Sequence, residues 1–334
     1  MPIKKKLFNA PFVLSLGSGA GKILSEVPLS DKYYKVAINS SSKDLQLIES
    51  KVDITLKCGD GKGSGMSPIK GYEDMRLGMR DLGKVIQEIK DETKTDEIDL
   101  IPLIISLGHG FGTGSSEAIL ETFEKTYKDT IILPFVITPF TWEGADVVKR
   151  AYTKLEKLTE FCTCIIISNE EVGKIYSDIG SSYDRINAVV GELISDFIEA
   201  MSATDGIIQT VDKSDFAKLF TGRIATLRGL RFKSADEITL KNIKNNMEQR
   251  FLKTQLKTFK PQTKLKLFYA IDGKGPFQPD KLLELQEFIA SKDYFDTSTI
   301  KPLLIERKRA KHTNFLWLES GFKLACDKNI YGIY

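Results

Sequence analysis

The sequence predicts an α/β fold: a parallel-sheet domain, then a long central helix, then a smaller α+β domain. Three observations carry this expectation. Short apolar runs alternate with amphipathic segments through the first two-thirds of the chain, the rhythm of strands and crossover helices in a sheet covered on both faces. Residues 181–203 place apolar residues at helical spacing without a proline, so they read as one helix. Beyond them the pattern shifts to strand-like runs around a single helix.

The elements follow in order. "PFVLSLG" (11–17), "KVAINS" (35–40), "IDLIPLIISLG" (98–108), "DTIILPFVITP" (129–139) and "CTCIIIS" (162–168) read as buried strands, each running into a glycine or polar loop. "SSEAILETFEKTYK" (115–128) reads as a crossover helix whose serines suit an N-cap, and "GADVVKRAYTKLEKLTEF" (144–161) reads as a second. After the long helix, "KLKLFYAIDG" (264–273), "TIKPLLIERKR" (299–309) and "TNFLWLES" (313–320) read as strands of another sheet, with "QPDKLLELQEFIAS" (278–291) as a helix between the first two. The expected boundaries are 1–180, 181–203 and 204–334.

Composition sets outer limits on function. The 334 residues, 42% hydrophobic and 28% charged, suffice for one large or two medium domains with a real core. A net charge of +3 gives no global attraction to nucleic acid or membrane, and "ERKRAKH" (306–312) is the one basic stretch. Cys58, Cys162, Cys164 and Cys326 show neither a CxxC pair nor a matching histidine spacing, which argues against a zinc site or disulfide framework and for a reducing compartment. The basic N-terminus and its apolar run imitate a signal peptide, but glycines break the run and no apolar stretch reaches membrane-spanning length. The expected location is cytoplasmic.

Three glycine-rich loops carry the chemistry: "GSGAGK" (17–22), "CGDGKGSGMSP" (58–68) and "GHGFGTG" (108–114). The first and third follow expected strands, the position at which open parallel sheets bind ligands. Glycine lets the backbone approach a phosphate closely, and a following helix N-terminus adds partial positive charge. Standard labels fit badly. A P-loop needs glycine where Leu16 stands and Ser or Thr where Ile23 stands, and neither loop keeps the full GxGxxG spacing of a dinucleotide site.

"GHGFGTG" resembles the GGGTGTG signature of the tubulin/FtsZ superfamily, with Gly108, Gly110, Gly112, Thr113 and Gly114 matching. Its neighbours agree in order. "GSGAGK" is similar to the first phosphate loop, "AINSSSKDL" to the second nucleotide loop and "GKGSGMSP" to the third. "TPFTWEG" resembles the segment whose glutamate, here Glu143, contacts ribose, and "SNEEV" the one whose asparagine, here Asn169, reads guanine. In "SSYDRINAVV", Tyr183 and Asn187 match an aromatic that stacks on the base and an asparagine that bonds its edge; four residues apart, they share one helix face.

The resemblance implies a tubulin/FtsZ-like fold, with a Rossmann-like GTP-binding domain over 1–180. It implies GTP/GDP as the ligand, Mg²⁺ as counter-ion, and a nucleotide site formed by Gly17, Ser18, Gly19, Lys22, Asn39, Ser64, Gly65, Gly108, His109, Gly110, Phe111, Gly112, Thr113, Gly114, Glu143, Asn169, Tyr183 and Asn187. "TVDKSD" is similar to the family's synergy loop, so Asp212 and Asp215 are the implied catalytic residues, lent to the next subunit's GTP in a head-to-tail homopolymer. Five residues depart from the family pattern: His109 and Phe111 replace a glycine and a threonine, Ser41 stands where FtsZ carries an aspartate, Lys22 where it carries an asparagine, and Thr210 where the synergy loop has one.

Within the superfamily the altered glycine loop, the tubulin-like base contacts and an ending, "FKLACDKNIYGIY", without the FtsZ-type tail point away from a division FtsZ, and the small size, the divergent loop and a lysine-rich C-terminal region resemble the TubZ branch of plasmid and phage segregation proteins. This implies a filament-forming cytoskeletal GTPase partnered by a DNA-binding adaptor, with no membrane partner and no sequence-specific DNA contact of its own. A divergent FtsZ-like division filament and a non-polymerising Rossmann-like nucleotide-binding enzyme are the alternatives, and a filament that binds GTP without cleaving it is a third.

Overall fold

The computed structural model describes residues 8–175, 182–202, 206–209, 216–218, 220, 224–233, 241–243, 245, 259–273, 279–291, 301–306 and 313–324. Asp212, Asp215, Thr210 and most of the basic 306–312 stretch lie outside the described residues. Two compact units divide between Ile198 and Glu199.

The first unit is built on strands β1 (Phe12–Leu16), β2 (Tyr34–Asn39), β3 (Ile54–Lys57), β4 (Leu100–Ser106), β5 (Ile131–Thr138) and β6 (Cys164–Ser168). They pair in the order β3-β2-β1-β4-β5-β6, every neighbour parallel. All five strands expected in this region are present, and β1 and β4 are apolar along nearly their whole length because helices cover both faces. The order reverses between β1 and β4, so right-handed crossovers send the chain to opposite faces on either side of that boundary.

The connecting helices are α1 (Ser18–Glu26), α2 (Ser42–Gln46), α3 (Pro68–Thr93), α4 (Gly110–Thr126), α5 (Ala145–Leu158), α6 (Asn169–Ile175) and α7 (Ser182–Met201). The long helix expected over 181–203 is α7. The 26-residue α3 was not among the assigned helices. Its buried positions, Gly71, Met75, Gly78, Leu82, Ile86 and Ile89, keep helical spacing, but exposed Ile69 and Leu77 blur the apolar stripe and two of the buried residues are glycines.

One expectation about α4 is corrected. The helix begins at Gly110 with His109 as its N-cap, not at Ser115. The Ser115 and Ser116 hydroxyls instead donate to the carbonyls of Phe111 and Thr113, at 2.6 and 3.0 Å, inside the helix. The glycine loop is thus itself the first turn. Gly71 and Gly114 allow α3 to lie directly on α4: a Cβ on Gly114 would run into the Pro68 carbonyl and the Tyr72 amide.

The second unit contains β7 (Gly206–Gln209), β8 (Ile224–Phe232), β9 (Phe259–Gly273), β10 (Lys301–Glu306) and β11 (Thr313–Leu324), with helix α8 (Pro279–Ala290). β11 lies antiparallel between β8 and β9, while β9 and β10 are parallel and joined through α8. Tyr269, Phe315 and Trp317 pack on one face at ring distances of 5.5 to 6.0 Å. Among the described residues no helix is long and apolar enough to cross a membrane.

Between α4 and α5, buried Glu117 accepts hydrogen bonds from Lys154 and Lys157. Burial pushes its pKa up, but the two lysines more than offset this and leave it below the ordinary value. A depressed carboxylate stabilises the fold above its unfolded pKa of about 4.3 and stops doing so as pH falls through its folded value. Glu117→Gln is therefore expected to cost about 2 kcal/mol at pH 7, and less at pH 3 as the carboxylate begins to take up its proton. Urea melts at the two pH values check this, and an equal deficit at both contradicts it.

Candidate functional site

The C-terminal ends of the six parallel strands open onto a cavity of about 560 Å³, a size suited to a nucleotide. Its centre lies at the β1/β4 boundary. There α1 and α4 both start without a side-chain cap, so backbone N–H groups of their first turns have no intrahelical partner. The two turns nearly touch: a Cβ on Gly17, whose φ is +89°, would sit 3.1 Å from the Gly112 amide nitrogen. Gly112 is equally constrained, since a Cβ there would collide with the Ser106 carbonyl and approach that of Leu16. Two helix poles facing one space make an anion-binding cradle, and side chains at these glycines would force the two turns and the strand ends apart.

On the β2 side, Asn39 is buried and its Nδ2 donates to Ser18 Oγ at 3.1 Å. Ser18 in turn donates to the Asp44 carboxylate. Asp44 is held by α2, which is capped by Ser41 through the Asp44 amide at 3.2 Å. Its carboxylate with the Ser18 and Asn39 side-chain oxygens is a hard donor set that fits Mg²⁺, an ion content with one carboxylate plus phosphate and water oxygens.

The third loop closes this side. Ser64 is buried; its hydroxyl donates to Asp74 Oδ2 at 2.8 Å and lies 2.7 Å from Ser40 Oγ, while Lys70 Nζ reaches Asp74 Oδ1 at 2.9 Å. Gly65 is tied to α4, its carbonyl accepting from the Gly110 amide at 3.0 Å. The loop is therefore anchored to β2, α3 and α4 at once.

The opposite end is amide and aromatic. Asn169 begins α6, and Asn187 lies one turn beyond Tyr183 on α7. All three line the cavity. Tyr183 stands edge-on to Phe140 at 5.6 Å and to Trp142 at 6.1 Å. Burial, then the charge and hydrogen bond of Glu143, push its hydroxyl up to about 12, so it is a neutral donor at any physiological pH. Glu143 also accepts from the Phe140 amide at 2.8 Å, which fixes the loop after β5.

Of the residues expected to hold a nucleotide, Gly17, Ser18, Gly19, Lys22, Asn39, Ser64, Gly65, His109, Gly110, Phe111, Gly112, Glu143, Asn169, Tyr183 and Asn187 all line this one cavity. Gly108, Thr113 and Gly114 are not among its lining residues, and the structure shows them in packing contacts. The Gly108 amide donates to Thr113 Oγ1 at 2.9 Å, closing the turn from inside, and Gly114 is where α3 rests. Sequence reasoning missed Asp44, Lys62, Ser106 and Asp184 as lining residues. Asp44 and Lys62 sat within the loop stretches already singled out, but side chains there gave no periodicity by which to aim them.

Comparison with known proteins agrees with this geometry. Residues 17–177 match the tubulin/FtsZ family GTPase domain. The tubulin-like protein CetZ of Pyrococcus abyssi is 27% identical over 223 residues, 64% of this chain and 60% of that protein. The chain covers 60 to 63% of the length of the first such relatives. Among solved structures, an FtsZ dimer from M. jannaschii superposes with a TM-score of 0.75 at 20% identity, covering 94% of this chain and 88% of that one. A GTPγS-form protofilament of Bacillus thuringiensis TubZ gives 0.68 at 14%, covering 98% and 89%. The chain therefore has the tubulin/FtsZ fold, and its residues 17–177 match the GTPase domain of the tubulin/FtsZ family.

Proposed function

We propose that this protein is a filament-forming cytoskeletal GTPase that holds GTP or GDP in the cavity of its first unit. The observation that carries the reading is the convergence of two uncapped, glycine-built helix poles with an aromatic and amide-lined recess in one cavity. The poles suit the phosphates, Tyr183 a base face, and Asn169 and Asn187 the edge of guanine, with Glu143 beside the ribose. Mg²⁺ held through Asp44 and Ser18 would supply charge neutralisation when bound.

Hydrolysis needs a group that orients water at the terminal phosphate. Asp44, the carboxylate beside the Ser18 turn, is already engaged by Ser18. This supports a shared site, in which Asp212 and Asp215 of one subunit complete the cavity of the next and turnover reports on assembly. The protofilaments of CetZ and TubZ among the fold neighbours favour the same arrangement.

The cargo is a separate matter. A TubZ-like role, segregating plasmid or phage DNA through a DNA-bound adaptor, rests on the departures in the glycine loop and on fold likeness at 14% identity. The sequence relatives named above are CetZ proteins, and FtsZ proteins also match, at 20 to 28% identity. The comparisons thus favour a general cytoskeletal role in the cytoplasm over DNA segregation, with an FtsZ-like filament as the second reading.

Asn187→Ala is expected to weaken GTP about three- to tenfold, the worth of one or two hydrogen bonds to the base edge, and ATP hardly at all. Equilibrium binding of both nucleotides checks this; equal losses reject the guanine assignment. Asp212→Ala should keep GTP binding while abolishing phosphate release and lengthening the life of filaments seen by sedimentation. Unchanged turnover in that variant removes the role given to Asp212.

A further inference from the structure

The cradle between the two helix poles is built from backbone, yet one titratable ring stands in it. His109 is the N-cap residue of α4 and lines the cavity beside Gly110 and Gly112. The tubulin/FtsZ signature has a glycine at this position, so whatever the imidazole does belongs to this chain and not to the shared loop.

The surrounding backbone leaves the ring no task in the fold. The Gly108 amide donates to Thr113 Oγ1 at 2.9 Å and the Gly110 amide to the Gly65 carbonyl at 3.0 Å, so the residues on either side are fixed. His109 itself is extended, with φ −100° and ψ −176°, a conformation that any residue adopts without strain. Its side chain caps no amide of α4, and the residue is exposed. A glycine would serve the turn as well. What the side chain adds is charge that changes in the physiological range, since histidine is the side chain that ordinarily titrates between about pH 5 and pH 8.

The fixed charges around it are mixed. Lys22 of α1 and Lys62 of the third loop line the cavity as cations, and Asp44, Glu143 and Asp184 line it as carboxylates. Asp44 accepts from Ser18 and Glu143 from the Phe140 amide, so two of these carboxylates are already engaged. Helix α5 approaches Gly108 through Val147; it carries Asp146 in its first turn and Arg150 one turn on, which donates to the Met66 carbonyl at 2.5 Å. Charges so balanced leave the field at the poles to the ligand. A helix pole disfavours a cation beside it, and a phosphate seated between two poles reverses the sign of the local field. A nearby anion favours the charged form of an imidazole, in which both ring nitrogens donate.

We propose that His109 adds a titratable donor to the cradle, so that the nucleotide binds together with a proton and is held more tightly as pH falls from about 8 to about 6. This rests on the guanine-nucleotide reading given above. The sign follows from linkage: a ligand that favours the protonated ring is itself favoured by protons. Nucleotide occupancy then responds to the acidity of the surroundings through a residue that the family loop lacks.

The test titrates the full chain with GDP in excess Mg²⁺ at pH 6, 7 and 8, comparing the wild type with His109→Gln and His109→Gly. GDP is the probe because no turnover interferes. His109 is exposed and unstrained, so both variants are expected to melt like the wild type at each pH. The wild type should bind GDP about tenfold more tightly at pH 6 than at pH 8, the lower end of what a hydrogen bond to a charged group is worth. Binding heats at pH 7 in two buffers of different ionisation enthalpy should show proton uptake. Both variants should lose most of the pH slope and of the proton uptake. A slope of the same size in the variants would place the proton on the nucleotide's own phosphate or on another side chain and overturn the proposal, as would a wild type with no slope. A wild type that binds no GDP at any pH would instead bring down the guanine reading, and the proposal with it.

Discussion

The reversal of strand order between β1 and β4 is the constraint on which the rest of the first unit depends. On one side of it the chain winds through α1 toward β2, on the other through α4 toward β5, so two helices leave the same edge of the sheet from neighbouring strands. Their N-terminal turns are forced to within contact distance of each other and of the strand ends. Only residues without a Cβ fit, which is why Gly17 and Gly112 face each other across roughly the thickness of a backbone. Leaving both helices uncapped is unfavourable for an isolated protein, since exposed N–H groups gain nothing from each other. The arrangement makes physical sense as a site kept ready for an anion.

The same crowding divides the glycines of the 108–114 loop into two groups with different duties. Gly110 and Gly112 line the cavity, while Gly108 and Gly114 pack against neighbouring elements, with Thr113 closing the turn between them. Phe111, 5% exposed, stands where the family signature has a threonine, so the polar lining of that end of the cavity comes from backbone amides and from side chains of α1, β2 and the third loop. The Ser40, Ser64, Asp74 and Lys70 chain of hydrogen bonds gives that side its rigidity, and buried networks of this kind hold only when every member is satisfied.

Much of this was legible in the sequence because parallel strands buried on both faces announce themselves as apolar runs. β1, β2, β4, β5 and β6 needed no further signal, and the glycine loops followed them directly. The helix starts were less legible. Serines at 115 and 116 look like caps, yet in a helix that opens on a ligand cradle the cap position is left without one, and the serines turn inward. α3 escaped because its contact face is made partly of glycines, which carry no hydrophobic signal although they permit its closest packing. Side-chain direction in loops has no period at all, and so Asp44 and Lys62 went unassigned as lining residues. Asp212 and Asp215, lying outside the described residues, stand on the resemblance of "TVDKSD" alone.

Taken by itself, the first unit offers a cradle, a base recess and a charged third wall, with Asp44 on the phosphate side already held by Ser18. In the proposed reading such a site binds GTP alone and hydrolyses it only when a second copy completes it. The direct measurement is phosphate release against protein concentration, with sedimentation of the same samples. A threshold below which specific activity vanishes and no pellet forms is the predicted result. Constant specific activity at every concentration, with no pellet, would mean a self-contained site and would contradict the account.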